Sequence, residues 1–192
     1  MNIAVFVDGA NLYYTQRDHL GWRVDPKRLL EWVEERGTVS DALYYLGGEE
    51  APDGTYASFL RALPHLGYSL VTKPVKTQIG PNGEVKKKAN LDVEIVLDMF
   101  TMLDAFDMAV LVSGDGDFRR PLDLLRTRGK RFLVISTEGV VARELREIAG
   151  RHFVDFREIR TSIERGTVRA IAADRVREHV RIESRPTAAT GS

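Results

Sequence analysis

The chain contains no cysteine among its 192 residues, and that absence removes several kinds of chemistry at once. Disulfide bridges, thiolate zinc sites and a cysteine nucleophile are all excluded. A thiol-free chain also fits a cytoplasmic location, where thiols stay reduced. Net charge is missing too: 28 Lys and Arg stand against 28 Asp and Glu, so bulk charge draws the chain toward neither a polyanion nor a membrane surface. No apolar run reaches the roughly 20 residues needed to span a bilayer. The opening MNIAVFVDG is apolar, but it is short, lacks a basic leader and runs directly into Asp8 and Gly9. It therefore reads as a buried strand, not a signal peptide.

What is present is the material of one ordinary domain. A hydrophobic content of 43% suffices for a substantial core without covalent staples. Apolar runs alternate with helical patterns, as in stacked βαβ units around a parallel sheet. Strands are expected at 2–7, 40–46, 68–74, 109–113 and 131–136, with a short edge strand at 152–156. Between them lie helices at 25–36, 55–66, 91–103, 118–128 and 140–149. Asp25 and Pro26 supply a cap and first-turn signal for the first of these, and Pro64 predicts an early stop or kink in the second. Gly80-Pro81-Asn82-Gly83 marks a turn or loop. Residues 1–158 form the expected domain. Residues 159–192 change character: 161–183 are charged with helical potential, and 184–192 are small, polar and expected to be disordered. A homodimer through that C-terminal helix is compatible with the sequence.

Three acidic motifs fall where an open α/β sheet binds its ligands, beyond the carboxyl ends of the strands. Asp8 ends the first strand in V-D-G-A-N-L, and Asp115 and Asp117 follow the fourth in S-G-D-G-D-F. Asp92 opens a helix in K-A-N-L-D-V-E-I-V-L-D. Several carboxylates from separate segments are what Mg²⁺ or Mn²⁺ requires, since these hard cations prefer oxygen donors. Two such ions can activate water and stabilise the leaving oxygen in phosphodiester hydrolysis. Each motif alone has a plainer explanation: a strand-end turn or helix cap for Asp8, a tight turn for Asp115 and Asp117, and a macrodipole contact for Asp92. Glu94 and Asp98 fit that last explanation better still. The glycines at 9, 114 and 116 are expected to let the backbone turn sharply near a phosphate.

Neighbouring polar residues suit supporting roles. Asn11, Ser113 and Asn90 are placed to hydrogen-bond the carboxylates or a bound water. Lys86, Lys87, Lys88, Lys73, Lys76, Arg119 and Arg120 are the candidates for contacts to a nucleic-acid backbone, although a solvated surface explains each cluster equally simply. Tyr13, Tyr14 and Trp22 follow the first motif and offer stacking faces for unpaired bases, with packing the expected fate of at least two. The four histidines, His19, His65, His152 and His179, occur in unrelated contexts and receive no catalytic role.

Together, V-D-G-A-N-L at 7–12, K-A-N-L-D-V-E-I-V-L-D at 88–98 and S-G-D-G-D-F at 113–118 resemble the NYN domain. This is a branch of the PIN-like ribonucleases that includes the LabA-like bacterial proteins. The resemblance covers residues 1 to about 158, with no departure at the six positions named next. It implies a PIN-like three-layer α/β/α sandwich around a mostly parallel sheet. It also implies a Mg²⁺- or Mn²⁺-dependent nuclease acting on RNA, single-stranded RNA being the expected partner. Carried over by motif, Asp8, Asp92, Asp115 and Asp117 become the catalytic, metal-binding acids, with Asn11 and Ser113 in support.

Other functions remain to be weighed. The same fold can serve as a catalytically silent adaptor for nucleic acid or protein. A haloacid-dehalogenase-type phosphatase would want a second acid two residues after Asp8, where Ala10 stands. A dinucleotide-binding Rossmann domain would want G-x-G-x-x-G after the first strand, which is absent.

Overall fold

A computed structural model describes residues 1–48, 55–74, 76–79, 85–88 and 91–166. In chain order the elements are β1 (Asn2–Asp8), α1 (Gly9–Thr15), α2 (Pro26–Glu34), β2 (Thr38–Gly48), α3 (Thr55–His65) and β3 (Ser69–Pro74). A short hairpin follows, β4 (Lys76–Ile79) and β5 (Val85–Lys88), then α4 (Asp92–Thr101) and β6 (Met108–Val112). The remainder is α5 (Arg119–Thr127), β7 (Arg131–Ser136), α6 (Arg143–Ala149), β8 (Phe153–Asp155) and α7 (Arg160–Ile163).

Six strands form one sheet in the order β3-β2-β1-β6-β7-β8, and every neighbouring pair is parallel. The side-chain alternation of β1 shows why the sheet is covered on both faces. Ile3, Val5 and Val7 enter a core shared with Leu12 of α1, Leu29 and Val33 of α2, Leu63 of α3 and Ile163 of α7. Ala4 and Phe6 enter the opposite core, with Ile95 and Met99 of α4, Leu122 and Leu125 of α5, and Leu145 of α6. The result is the expected three-layer α/β/α architecture. Because both faces are dry, the strands read as continuous apolar runs.

The strand order sets the position of any site. From β1 the chain steps outward through β2 to β3, then returns to the other side of β1 as β6. The direction of winding reverses between β1 and β6, and the crevice at their carboxyl ends is where such sheets take ligands. Asp8 closes β1, and Ser113 to Asp117 leave β6.

Several local features differ from the sequence reading. The helix expected to reach residue 103 stops at Thr101, and a single 3₁₀ turn covers Leu103–Ala105. The β4–β5 hairpin was not anticipated: its four-residue strands carry Lys76 opposite Lys88, Thr77 opposite Lys87 and Gln78 opposite Lys86, and lysine-rich segments score poorly as strands. The turn expected at 80–83 lies outside the described residues, as do the extension and tail from 167 onward. The packed body nevertheless runs past residue 158. Ile163 is fully buried, its carbonyl accepts the Asp25 N–H at 2.8 Å, and Glu164 bridges to Val24. Among the described residues, no helix is long and apolar enough to cross a membrane.

Candidate metal centre at the carboxyl edge of the sheet

Asp8 does two things at once. As the N-cap of α1 its Oδ1 accepts the Asn11 N–H at 3.0 Å, which is the ordinary use of an aspartate at a strand-to-helix junction. Its Oδ2 accepts the Ser113 hydroxyl, also at 3.0 Å, and this ties the end of β1 to the end of β6. The side chain is buried, and burial pushes its pKa above the usual carboxylate range; the negative charges of Asp92 and Asp115 push the same way. The two hydrogen bonds oppose this shift.

The loop leaving β6 is held by its own polar groups. Ser113 Oγ accepts the Asp115 N–H at 3.2 Å, and Asp115 Oδ1 accepts the Asp117 N–H at 3.0 Å, capping a 3₁₀ turn. Asn11 reaches over from α1, its Oδ1 accepting the Gly114 N–H at 3.0 Å. Asn11 and Ser113 thus brace the loop; Ser113 does so while bonding a carboxylate, whereas the Asn11 side chain bonds the Gly114 backbone.

Asp92, Asp115 and Asp117 meet here: each offers a carboxylate oxygen, and these atoms all lie within 4.8 Å of one another. Asp92 comes from the first turn of α4, while the other two come from the turn after β6. Asp115 and Asp92 are half-buried and Asp117 is exposed, so the group opens to solvent on one side. Asp8 stands outside this close group but within electrostatic range of Asp92 and Asp115. A donor set made only of carboxylate oxygens fits a hard divalent cation and does not favour zinc or copper.

The glycines of these motifs serve packing more than turning. None of Gly9, Gly114 and Gly116 has a positive φ. A Cβ on Gly9 would lie 2.5 Å from the backbone oxygen of Tyr45, so only glycine lets α1 start flush against β2. A Cβ on Gly116 would meet the Glu144 carboxylate at 2.5 Å. That contact places Glu144, at the start of α6, against the Asp115–Asp117 turn. No signal in the sequence marks it, because its proximity arises from the α6 crossover alone.

The remaining candidates are spread more widely. Glu94 and Asp98 face away from the acidic group: Glu94 pairs with Lys73 at 2.5 Å, and Asp98 accepts the Tyr45 hydroxyl at 2.9 Å. The Lys73 ammonium holds the Glu94 carboxyl below its ordinary pKa. Arg119 and Arg120 are exposed at the start of α5, with Arg120 3.0 Å from Asp123. Lys76, Lys86, Lys87 and Lys88 are on the hairpin, which ends shortly before Asp92, and Asn90 lies outside the described residues. Trp22 is buried, but Tyr13 and Tyr14 are 52% and 54% exposed. Their rings meet edge to face at 5.4 Å with the Arg17 guanidinium beside both.

Comparisons with known proteins bear on the family and the fold. The chain is 40% identical over 167 residues to the low amplitude and bright protein LabA of Synechococcus elongatus, covering 85% of this chain and 88% of that protein. A crystal structure of a protein of unknown function from Vibrio parahaemolyticus superposes with a TM-score of 0.69 at 27% identity, covering 80% of this chain and 91% of the other. The NYN domain family matches residues 2–164, from β1 through α7, and the chain belongs to that family.

Proposed function

We propose that this protein is a divalent-metal-dependent nuclease that hydrolyses phosphodiester bonds in RNA. In this reading Asp92, Asp115 and Asp117 hold Mg²⁺ or Mn²⁺, and Asp8 completes the acidic set from the β1 side. The observation that carries it is the meeting of three carboxylates from two distant segments, within 4.8 Å of one another, at the switch point of the sheet. Like charges at such close range repel one another, and a bound cation would offset that repulsion. Membership of the NYN family, whose relatives are PIN-like nucleases, supports the same chemistry.

When bound, the cation would supply charge neutralisation at the phosphodiester and a more acidic water. The chain's own residues prepare the site for it. Ser113 and Asn11 fix the loop so that Asp115 and Asp117 need little reorganisation on binding. Asp8, kept partly desolvated, contributes negative charge whose cost falls once a cation arrives. The hairpin lysines with Arg119 and Arg120 offer cations for sequence-independent backbone contacts, which weaken as salt rises. Lys73 is a weaker candidate for that role, because Glu94 already offsets its charge.

The test is incubation of the purified chain with labelled single-stranded RNA and DNA in Mn²⁺, Mg²⁺ or EDTA. The proposal expects metal-dependent cleavage that falls at least about a hundredfold in Asp115→Asn and Asp117→Asn. Binding without cleavage by the native chain would instead identify an adaptor, and release of terminal phosphate alone a phosphatase.

A further inference from the structure

We propose that an apolar groove beside the carboxylates seats one unpaired nucleobase of the strand, next to the phosphodiester that the acids address. This rests on the nuclease reading above and names the form of substrate it takes.

The argument begins with α4, which presents three unlike faces. Ile95 and Met99 are fully buried against the sheet. Glu94 and Asp98 turn to Lys73 and Tyr45. On the third face Val93 and Leu97, four residues apart, are 63% and 59% exposed. A helix covering a sheet ordinarily gives its outer face to polar side chains, so a valine and a leucine there call for an occupant.

Their position says which one. Val93 and Leu97 rim a groove of about 300 Å³ floored by Val96 and Phe118, and its other walls are Asp92 and Asp117. Those two carboxylates belong to the candidate metal centre, so whatever fills the groove touches the ion site as well. The occupant must therefore join a flat apolar part to an anionic part across a short distance. A nucleotide, with its base one sugar away from its phosphate, has that form. A protein partner laid over Val93 and Leu97 would cover the carboxylates and close the site to substrate. The volume is at the low end for small-molecule sites, enough to hold one base. Among the described residues, no lining side chain carries an amide, hydroxyl or guanidinium, so what they offer a base is an apolar surface. A base lodged against Val93, Leu97 and Phe118 has left its stack, so the substrate the groove selects is unpaired.

The test uses the full chain carrying Val93→Ser and Leu97→Ser together, compared with the native chain and with Leu97→Phe. Cleavage of a short labelled single strand and of the corresponding duplex is measured in Mn²⁺, alongside a Mn²⁺ titration and sedimentation. The double serine variant is expected to raise KM for the single strand about tenfold while kcat changes by less than about twofold, as for loss of one base contact. Its duplex cleavage, Mn²⁺ affinity and thermal midpoint should stay at native values, and Leu97→Phe should keep native KM or lower it. An unchanged KM in the serine variant, with the native chain active, overturns the groove proposal and leaves the nuclease reading intact. Conversion of a native dimer to monomer by the serine variant also overturns it, by assigning the face to a second copy. Absence of both Mn²⁺ binding and cleavage in the native chain removes the nuclease reading, and the groove proposal falls with it.

Discussion

The hydroxyl of Ser113 donates to Asp8 Oδ2 at 3.0 Å while accepting the Asp115 N–H at 3.2 Å, so one buried oxygen joins the ends of two strands across the switch point. Ser113→Ala removes both bonds and leaves a buried carboxylate oxygen short of a donor. We expect a loss of about 1–3 kcal/mol in urea denaturation. Metal-dependent cleavage should fall about tenfold or more, because the residues that orient ligands matter nearly as much as the ligands. A variant with native stability and native cleavage would show the link to be incidental.

Asp8 carries a pH prediction. Burial, followed by the charges of Asp92 and Asp115, raises its pKa in the folded state. For an acid the sign is that ionised Asp8 opposes folding: the penalty is present above its folded pKa, shrinks as pH falls through that value, and is gone below the unfolded value near 3.9. Asp8→Asn should therefore raise the thermal midpoint of the protein in EDTA at neutral pH, with the gain fading toward pH 4. The same variant should lower metal-dependent cleavage. Loss of stability at neutral pH in EDTA would mean that the carboxylate is favoured by its hydrogen bonds more than it is penalised by burial.

The end of the packed body can be tested by truncation. A chain stopped after Glu158 loses the fully buried Ile163 and the backbone bonds from Asp25 and Arg165 to their partners across the α2–α7 contact. Its expected cost is about 3–5 kcal/mol, from burial of one isoleucine and two hydrogen bonds. A chain stopped after Gly166 should match the full chain within about 0.5 kcal/mol. Equal stability of the two truncations would place the boundary at 158 instead.

Much of this was legible in the residues because it depended on local signals. NIAVFVD states a strand dry on both faces that ends in an acid, and the same logic holds for MAVLV followed by Ser113 to Asp117. Parallel strands joined by helices then leave few places for those acids except one crevice. What was not legible depended on contacts between distant segments. Glu144 reaches the Asp115–Asp117 turn only because α6 crosses back over it. The glycines are expected from sequence to turn the backbone sharply near a phosphate, yet Gly9 is demanded by the Tyr45 carbonyl, a neighbour that no local pattern announces. The β4–β5 hairpin was hidden because its pairing outweighs the poor strand preference of Lys86, Lys87 and Lys88. Val93 and Leu97 fitted a helix pattern equally well as core, and only the packing of Ile95 and Met99 shows which face is left outside.

The account stands or falls on whether the converged carboxylates hold a cation, and calorimetric titration of the metal-free full chain with Mn²⁺ measures that directly. We expect saturable binding in the native chain that is weakened at least about tenfold in Asp115→Asn and Asp92→Asn. A half-buried control such as Asp123→Asn, whose carboxylate pairs with Arg120, should leave it intact. No saturable binding, or binding equally strong in all of these variants, would contradict the assignment of this site to a metal.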